Sequence, residues 1–224
     1  MKDSLTIPFA IVVGGIIIAV ALYASMPKRV PTSSGTGDPT LVRPVSSSDH
    51  ILGNPAARVL VVEYTDFDCE YCKSFNETLH QIIANSGAQG EVAWVLREFP
   101  LSELHPNALS HARAAECVAE TAGNDAFWKF TDLLFANQPA DPTRYGELAR
   151  SAGVLGADAF ATCFSSASTT LTARIMADRQ NALDTGAVGT PYTLILVSGK
   201  PPIVIDSAYP YDAVKQLVDE ALAR

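Results

Sequence analysis

Val61-Val62-Glu63-Tyr64-Thr65-Asp66-Phe67-Asp68-Cys69-Glu70-Tyr71-Cys72-Lys73-Ser74-Phe75 decides the reading of this chain. The apolar run from Val59 to Tyr64 has the composition of a buried strand. A polar turn follows and delivers two cysteines onto the start of a helix. Three-residue spacing at a helix start puts both sulfurs on one face, within reach of a disulfide across a single turn. Cys69 falls where unpaired backbone N–H groups and the positive end of the helix dipole favour a thiolate. Cys72, one turn deeper, is placed to resolve a mixed disulfide formed at Cys69. The chemistry implied is thiol–disulfide exchange. The same spacing also serves as half of a zinc site, but Cys117 and Cys163 are single and far apart. His50, His80, His105 and His111 form no H-x3–5-H pattern, so no metal is expected.

Working outward, the helix begun at Cys69 runs to about Ala84, with Phe75, Leu79, Ile82 and Ile83 at helical spacing. Gly87 and Gly90 end it, and Glu91 to Phe99 reads as a second strand. Strand, helix, strand implies a right-handed parallel crossover and an α/β sheet. Residues 102 to about 186 then read as helix almost throughout: Pro106–Ala122, Asp125–Asn137, Thr143–Gly153, Ala157–Ser165 and Thr169–Thr185, an inserted helical subdomain. Tyr192–Val197 and Ile203–Asp206 flank a Ser-Gly-Lys-Pro turn, and Asp212–Leu222 is a closing amphipathic helix. Upstream, Asp49 to Pro55 reads as a short strand and turn.

The chain has 224 residues, 48% hydrophobic and 18% charged, which suits one globular domain with something appended. A net charge of -8 argues against a nucleic-acid partner. The appended part is residues 1–26, whose apolar run Ile7 to Ala24 is roughly 18 residues, the lower end of what spans a bilayer. A signal-anchor competes with a cleaved signal peptide here, and the length of the run favours the uncleaved transmembrane helix. Lys28 and Arg29 after the run would by the positive-inside rule hold the domain in the cytoplasm. Four cysteines favour the oxidising side instead, and the extracytoplasmic placement is preferred on that ground. Residues 27–48, rich in Pro, Ser, Thr and Gly, read as a tether, and 49–224 as the folded domain.

These features in this order, with Gly189-Thr190-Pro191-Tyr192 ahead of the hairpin, make residues 49 to 223 resemble the DsbA-like thiol–disulfide oxidoreductases of the thioredoxin fold. The resemblance implies Cys69 as nucleophile, Cys72 as buried resolving cysteine, and Pro191 as a cis-proline against the disulfide, with Thr190 the variable residue before it. It implies Glu63 as an acid beneath the site that relays a proton to or from Cys72. It implies a non-catalytic disulfide between Cys117 and Cys163, against the alternative of two separate buried thiols. Substrates would be unfolded or partly folded exported proteins, and a separate redox partner would recycle the pair. No cofactor beyond the Cys69–Cys72 disulfide is implied.

The chain also departs from the strong oxidants of that family, which carry histidine before the second cysteine. Here Tyr71 stands there, beside Glu70, and Asp66, Asp68 and Glu70 crowd Cys69 with negative charge. That charge opposes a thiolate, so the expectation is a raised Cys69 pKa and a couple nearer the reductase end, against the alternative that these are solvated loop acids whose screened charge has little effect. The absence of a dimerisation segment favours dithiol oxidase over isomerase. The alternatives are a disulfide reductase or isomerase of the same fold, or a non-enzymatic metal-handling or holdase module using the cysteines as soft ligands. Phe67, Tyr71 and Phe75 form a candidate apolar rim for substrate, with core packing the plainer reading. His105 and His111 read as surface or satisfied residues.

Overall fold

A computed structural model describes residues 36–87, 89–166 and 169–224. Its centre is a five-stranded sheet in the order β1-β3-β2-β4-β5, where β1 is His50–Gly53, β2 Val59–Thr65, β3 Val92–Glu98, β4 Tyr192–Val197 and β5 Ile203–Ile205. Strands β2 and β3 are parallel; the other pairs are antiparallel. Every residue of β3 is buried, as is all of β2 except the half-buried Leu60. Strands covered on both faces need near-continuous apolar sequence, which is what 59–64 and 92–96 supply.

Seven α-helices lie among the described residues: α1 Glu70–Ile82, α2 Ala108–Ala122, α3 Asn124–Ala136, α4 Tyr145–Ala152, α5 Ala157–Ser165, α6 Thr169–Asp184 and α7 Tyr211–Leu222. The two-residue alternation of β2 divides the core. Val59 and Val61 point to the face where Phe75, Leu79 and Ile82 of α1, Val214 and Val218 of α7, and the apolar sides of α2 to α5 collect. Val62 and Tyr64 point to the other face, with Val95, Phe99, Leu194 and Ala182 of α6. Glu63 shares the side of Val61 and Val59, so a carboxyl is directed into the layer beneath α1. Helix α1 ends two residues before the expected Ala84, and its last turn widens into a π-type turn at Ile83–Gly87. The helical insertion is present, and a disulfide joins Cys117 of α2 to Cys163 of α5.

The signal-anchor reading falls on residues 1–26, outside the described residues; among the latter no helix is long and apolar enough to cross a membrane. The tether reading of 27–48 is corrected over its described part. Residues 37–49 bind along α6 instead of hanging free: Asp38 N donates to Asp184 O at 2.9 Å, Arg43 N to Asn181 Oδ1 at 2.9 Å, and Arg43 pairs with the buried Asp178 at 2.6 Å. Gly37 crosses Gly186 so closely that a Cβ there would come within 2.2 Å of the Gly186 nitrogen. The buried Arg97 of β3 reaches back to Asp49 at 2.8 Å and to the Arg43 carbonyl at 3.0 Å. Backbone carbonyls and a carboxylate thus compensate a guanidinium removed from water.

Candidate active site

Strand β2 ends at Thr65, and the turn Asp66-Phe67-Asp68 carries the chain to Cys69, the N-cap residue of α1. Both Cys69 and Cys72 are free thiols; Cys69 is 6% exposed and Cys72 fully enclosed. Against them stands the Thr190–Pro191 peptide, which is cis. Cys69 Sγ lies 3.5 Å from the Thr190 carbonyl oxygen. The Thr190 hydroxyl is buried without another partner, leaving it for the sulfur. The structure therefore brings Cys69, Cys72, Glu63, Thr190 and Pro191 into one place, while Glu70 and Tyr71 face solvent.

The expectation of a raised Cys69 pKa is overturned: it is lowered to about 6. A hydrogen bond from Cys72 is the largest cause and burial opposes it. The Thr190 hydroxyl and the backbone N–H groups of Cys72 and Tyr71 then add to the lowering. Burial, and after it the neighbouring Cys69 sulfur, pushes the Cys72 thiol well up. The two sulfurs are thus driven apart, one toward thiolate and one toward thiol.

Two of the three acids that were expected to oppose the thiolate, Asp66 and Asp68, are instead partnered. Asp66 turns inward: Oδ1 accepts from Asp68 N at 2.8 Å, while Oδ2 accepts from Leu101 N at 2.7 Å and lies 3.0 Å from His105 Nδ1. Asp68 Oδ1 lies 3.0 Å from Nε2 of the fully buried His111, whose Nδ1 is 2.6 Å from the Tyr145 hydroxyl. Burial lowers the His111 pKa despite Asp68, so the ring is neutral: Nε2–H donates to Asp68 and Nδ1 accepts from Tyr145. From the loop after α3, Gln138 Nε2 donates to the carbonyls of Phe67 at 2.9 Å and Cys69 at 3.0 Å.

Gln138, His105 and His111 were missed as site residues. All three reach the turn from the helical insertion, and no local spacing announces them. The candidate rim is corrected as well: Phe67 and Phe75 are core, and only Tyr71 is exposed. Leu104 and Val188, in the segments that carry His105 and Thr190, are exposed hydrophobic residues.

Glu63 is wholly buried. Trp94 Nε1 donates to its Oε2 at 3.0 Å, and Oε1 has no hydrogen-bond partner. Burial raises its pKa to about 8, so the carboxyl carries its proton at neutral pH. Once ionised, Glu63 raises the Cys72 thiol further. Among the described residues one group, His50, Glu98 and Glu116, brings ligand-type atoms within 4.8 Å of one another. Arg174 already pairs with Glu116 at 3.0 Å and reaches His50 at 3.2 Å. Burial, then the Glu116 and Asp178 charges, pushes Glu98 well above the usual carboxylate range, so that it stays neutral. The cluster meets its own charge with an arginine and a retained proton.

A family model described as Thioredoxin matches residues 46–220. Among solved structures, oxidised BdbD from Bacillus subtilis superposes with a TM-score of 0.71 at 22% identity, covering 87% of this chain and 100% of that one. The alpha-DsbA1 protein of Wolbachia pipientis gives 0.70 at 21%, covering 83% and 96%. At such identities the likeness is one of fold. By sequence, the chain is 36% identical over 135 residues to the Na(+)/H(+) antiporter NhaA 3 of Salinispora tropica, covering 58% of this chain and 20% of that protein. It is 34% identical over 119 residues to the NhaA 1 antiporter of Mycolicibacterium gilvum, covering 53% and 18%. The chain thus spans about a fifth of the length of these curated relatives.

Proposed function

The chain belongs to the thioredoxin family and has its DsbA-like fold, and from that premise we propose that it is a thiol–disulfide oxidoreductase working chiefly as a dithiol oxidase. The observation that carries the reading is the split between the two sulfurs: Cys69 lowered to about 6, Cys72 raised well above an ordinary thiol. A low-pKa thiolate is a good leaving group, and it stabilises the reduced form of the couple, which makes the oxidised form a stronger oxidant. This replaces the reductase-end potential expected from the acidic loop.

Starting from the Cys69–Cys72 disulfide, a substrate thiolate attacks Cys69 Sγ. The bond to Cys72 breaks, and Cys72 leaves with the electron pair. Glu63, protonated at neutral pH, is the proton source on that enclosed side and returns Cys72 to its thiol. A second substrate thiolate attacks the substrate sulfur of the mixed disulfide and expels Cys69 as thiolate. The substrate dithiol has then lost two electrons and two protons; one proton restores Glu63 to its acid form, the other goes to water because Cys69 remains a thiolate, and the protein has gained two electrons. A separate redox partner must remove those electrons before the next cycle. Thr190 and Pro191 offer backbone to the incoming chain beside the sulfur. No cofactor enters beyond the cysteine pair.

The substrates in this reading are unfolded or partly folded exported proteins. The domain works outside the membrane, held by Ile7–Ala24 as a single-pass anchor. The Cys117–Cys163 bridge supports that placement, since a structural disulfide persists on the oxidising side. Refolding of reduced ribonuclease by the oxidised protein tests the reading, with insulin reduction run alongside. Cys69→Ala should abolish both activities, and Cys72→Ala should trap substrate as a mixed disulfide. If insulin reduction alone proceeds, the net direction is reversed. If neither proceeds while metal is retained through chelation, the cysteine pair is a ligand site.

A further inference from the structure

The loop between Cys69 and Cys72 carries no cation, since Glu70 and Tyr71 occupy it. The acidic side chain closest in sequence and wholly enclosed is Asp66, which holds the nucleophile's own turn: its carbonyl accepts the Cys69 N–H at 3.1 Å. A charged carboxylate in that position would set itself against a thiolate unless a cation answered it. Two histidines from the insertion contact the acids of this turn, and they differ in kind. His111 is enclosed and neutral, held between Asp68 and Tyr145. His105 lies between β3 and α2, with 26% of its side chain exposed and Nδ1 at 3.0 Å from Asp66.

We propose that His105 is a positioning residue for Cys69: as an imidazolium paired with Asp66, it supplies from the helical insertion the positive charge that the C-x-x-C loop lacks. The inference rests on the reading of Cys69 as the nucleophile and adds a residue to it. The charged groups facing His105 are Asp66 and Asp68 from the turn after β2, and Cys69 at the tip of α1. On its own segment, Glu103 is turned to Arg179 at 3.6 Å. Partial burial pulls the His105 pKa down, but Asp66, then the Cys69 and Asp68 charges, more than offset this and the net shift is upward. A coupling between two titrating groups is reciprocal, so whatever the thiolate does to His105, the imidazolium does to Cys69.

The test needs no mutation in its first arm. The His105 titration is followed by NMR in the full chain, once with Cys69–Cys72 oxidised and once reduced. The His105 midpoint should stand about 0.5–1 pH unit higher in the reduced protein, where a thiolate faces it. Identical midpoints would overturn the proposal. In the second arm, thiolate absorbance near 240 nm gives the Cys69 midpoint in His105→Asn and His105→Lys. Asn keeps a donor for Asp66 without the charge; it should raise the Cys69 midpoint by about 0.5–1 unit, a roughly 2- to 5-fold loss of thiolate near pH 6. Lys keeps the charge and should restore the wild-type midpoint. A His105→Asn protein with native circular dichroism and an unmoved Cys69 midpoint would reduce His105 to a structural tie and overturn the proposal. Should either variant fail to fold, the redox-dependent titration of the wild type decides alone. A wild type in which the two titrations are coupled but no disulfide is exchanged would support His105 and remove the oxidoreductase reading.

Discussion

The side-chain amide of Gln138 donates to the carbonyl oxygen of Cys69 at 3.0 Å, across 69 residues of sequence. With the second bond to Phe67 O, one amide from the loop after α3 holds both ends of the turn that presents the nucleophile. The insertion is thus a clamp on the active-site turn as well as an added layer of helices.

That clamp gives the first prediction. Gln138→Ala leaves two carbonyls of the turn without their donor, at a cost of about 1–2 kcal/mol in urea unfolding. The Cys69 turn should also lose protection in amide hydrogen exchange, while the far strand β5 is unchanged. Unaltered protection at residues 67–72 would mean that the turn is held by Asp66 alone.

The split between the sulfurs predicts a pH profile. Alkylation of the reduced protein by iodoacetamide should follow a single titration with a midpoint at about 6, and modify Cys69 but not Cys72. Stability carries the same signature with a definite sign. The folded Cys69 pKa lies below the ordinary thiol value, so the stabilisation is fully present above about pH 9. It is lost as pH falls through about 6. The reduced wild type should therefore gain on the order of 2–4 kcal/mol over Cys69→Ser between pH 6 and pH 9. A flat difference across that window would contradict the lowered pKa.

How much of this was legible in the sequence depended on distance along the chain. The apolar run of β2 and the three-residue cysteine spacing are local patterns, and each carried its meaning unaided; the part played by Thr190-Pro191 came from the family resemblance. The charge of the acidic loop did not, because its effect depends on partners 39 and 43 residues away in sequence, His105 and His111. Counting charges near Cys69 gave the wrong sign; hydrogen bonding turned two of the acids away from the sulfur. Residues 37–48 misled in a similar way. Their Pro, Ser and Gly content is that of a linker, but Arg43 finds its partners on α6, 135 and 138 residues on.

Removing the structural bridge separates stability from chemistry. Cys117→Ser with Cys163→Ser opens a loop of sequence separation 46. The loop-closure model sets the loss at about 3–4 kcal/mol as an upper figure. The hydrogen bonds of Cys117 and Cys163 run to Thr121, Glu120 and Ser166, not to the nucleophile's turn, so the Cys69 alkylation midpoint should stay where it is. A midpoint that moves with the double substitution would show that the insertion positions the turn only when bridged.

Glu63 gives the last prediction, and its sign is opposite to that of Cys69. A carboxyl raised to about 8 in the folded protein from about 4.5 unfolded binds a proton that the unfolded chain gives up. Its contribution therefore declines as pH rises from about 4.5 to 8 and stays low above that. Glu63→Gln keeps a carbonyl to accept the Trp94 N–H and removes the titration. The variant should lose the wild type's decline, standing on the order of 2–4 kcal/mol better relative to wild type at pH 8.5 than at pH 4. The same substitution takes away the proton source for Cys72. Opening of the Cys69–Cys72 disulfide by a substrate thiol should slow by roughly 10- to 100-fold at pH 7, a stopped-flow measurement on tryptophan fluorescence. A more stable variant with an unchanged opening rate would make Glu63 a buried acid without a part in the proton transfer. A slower variant with an unchanged pH profile of stability would show instead that the carboxyl is not raised.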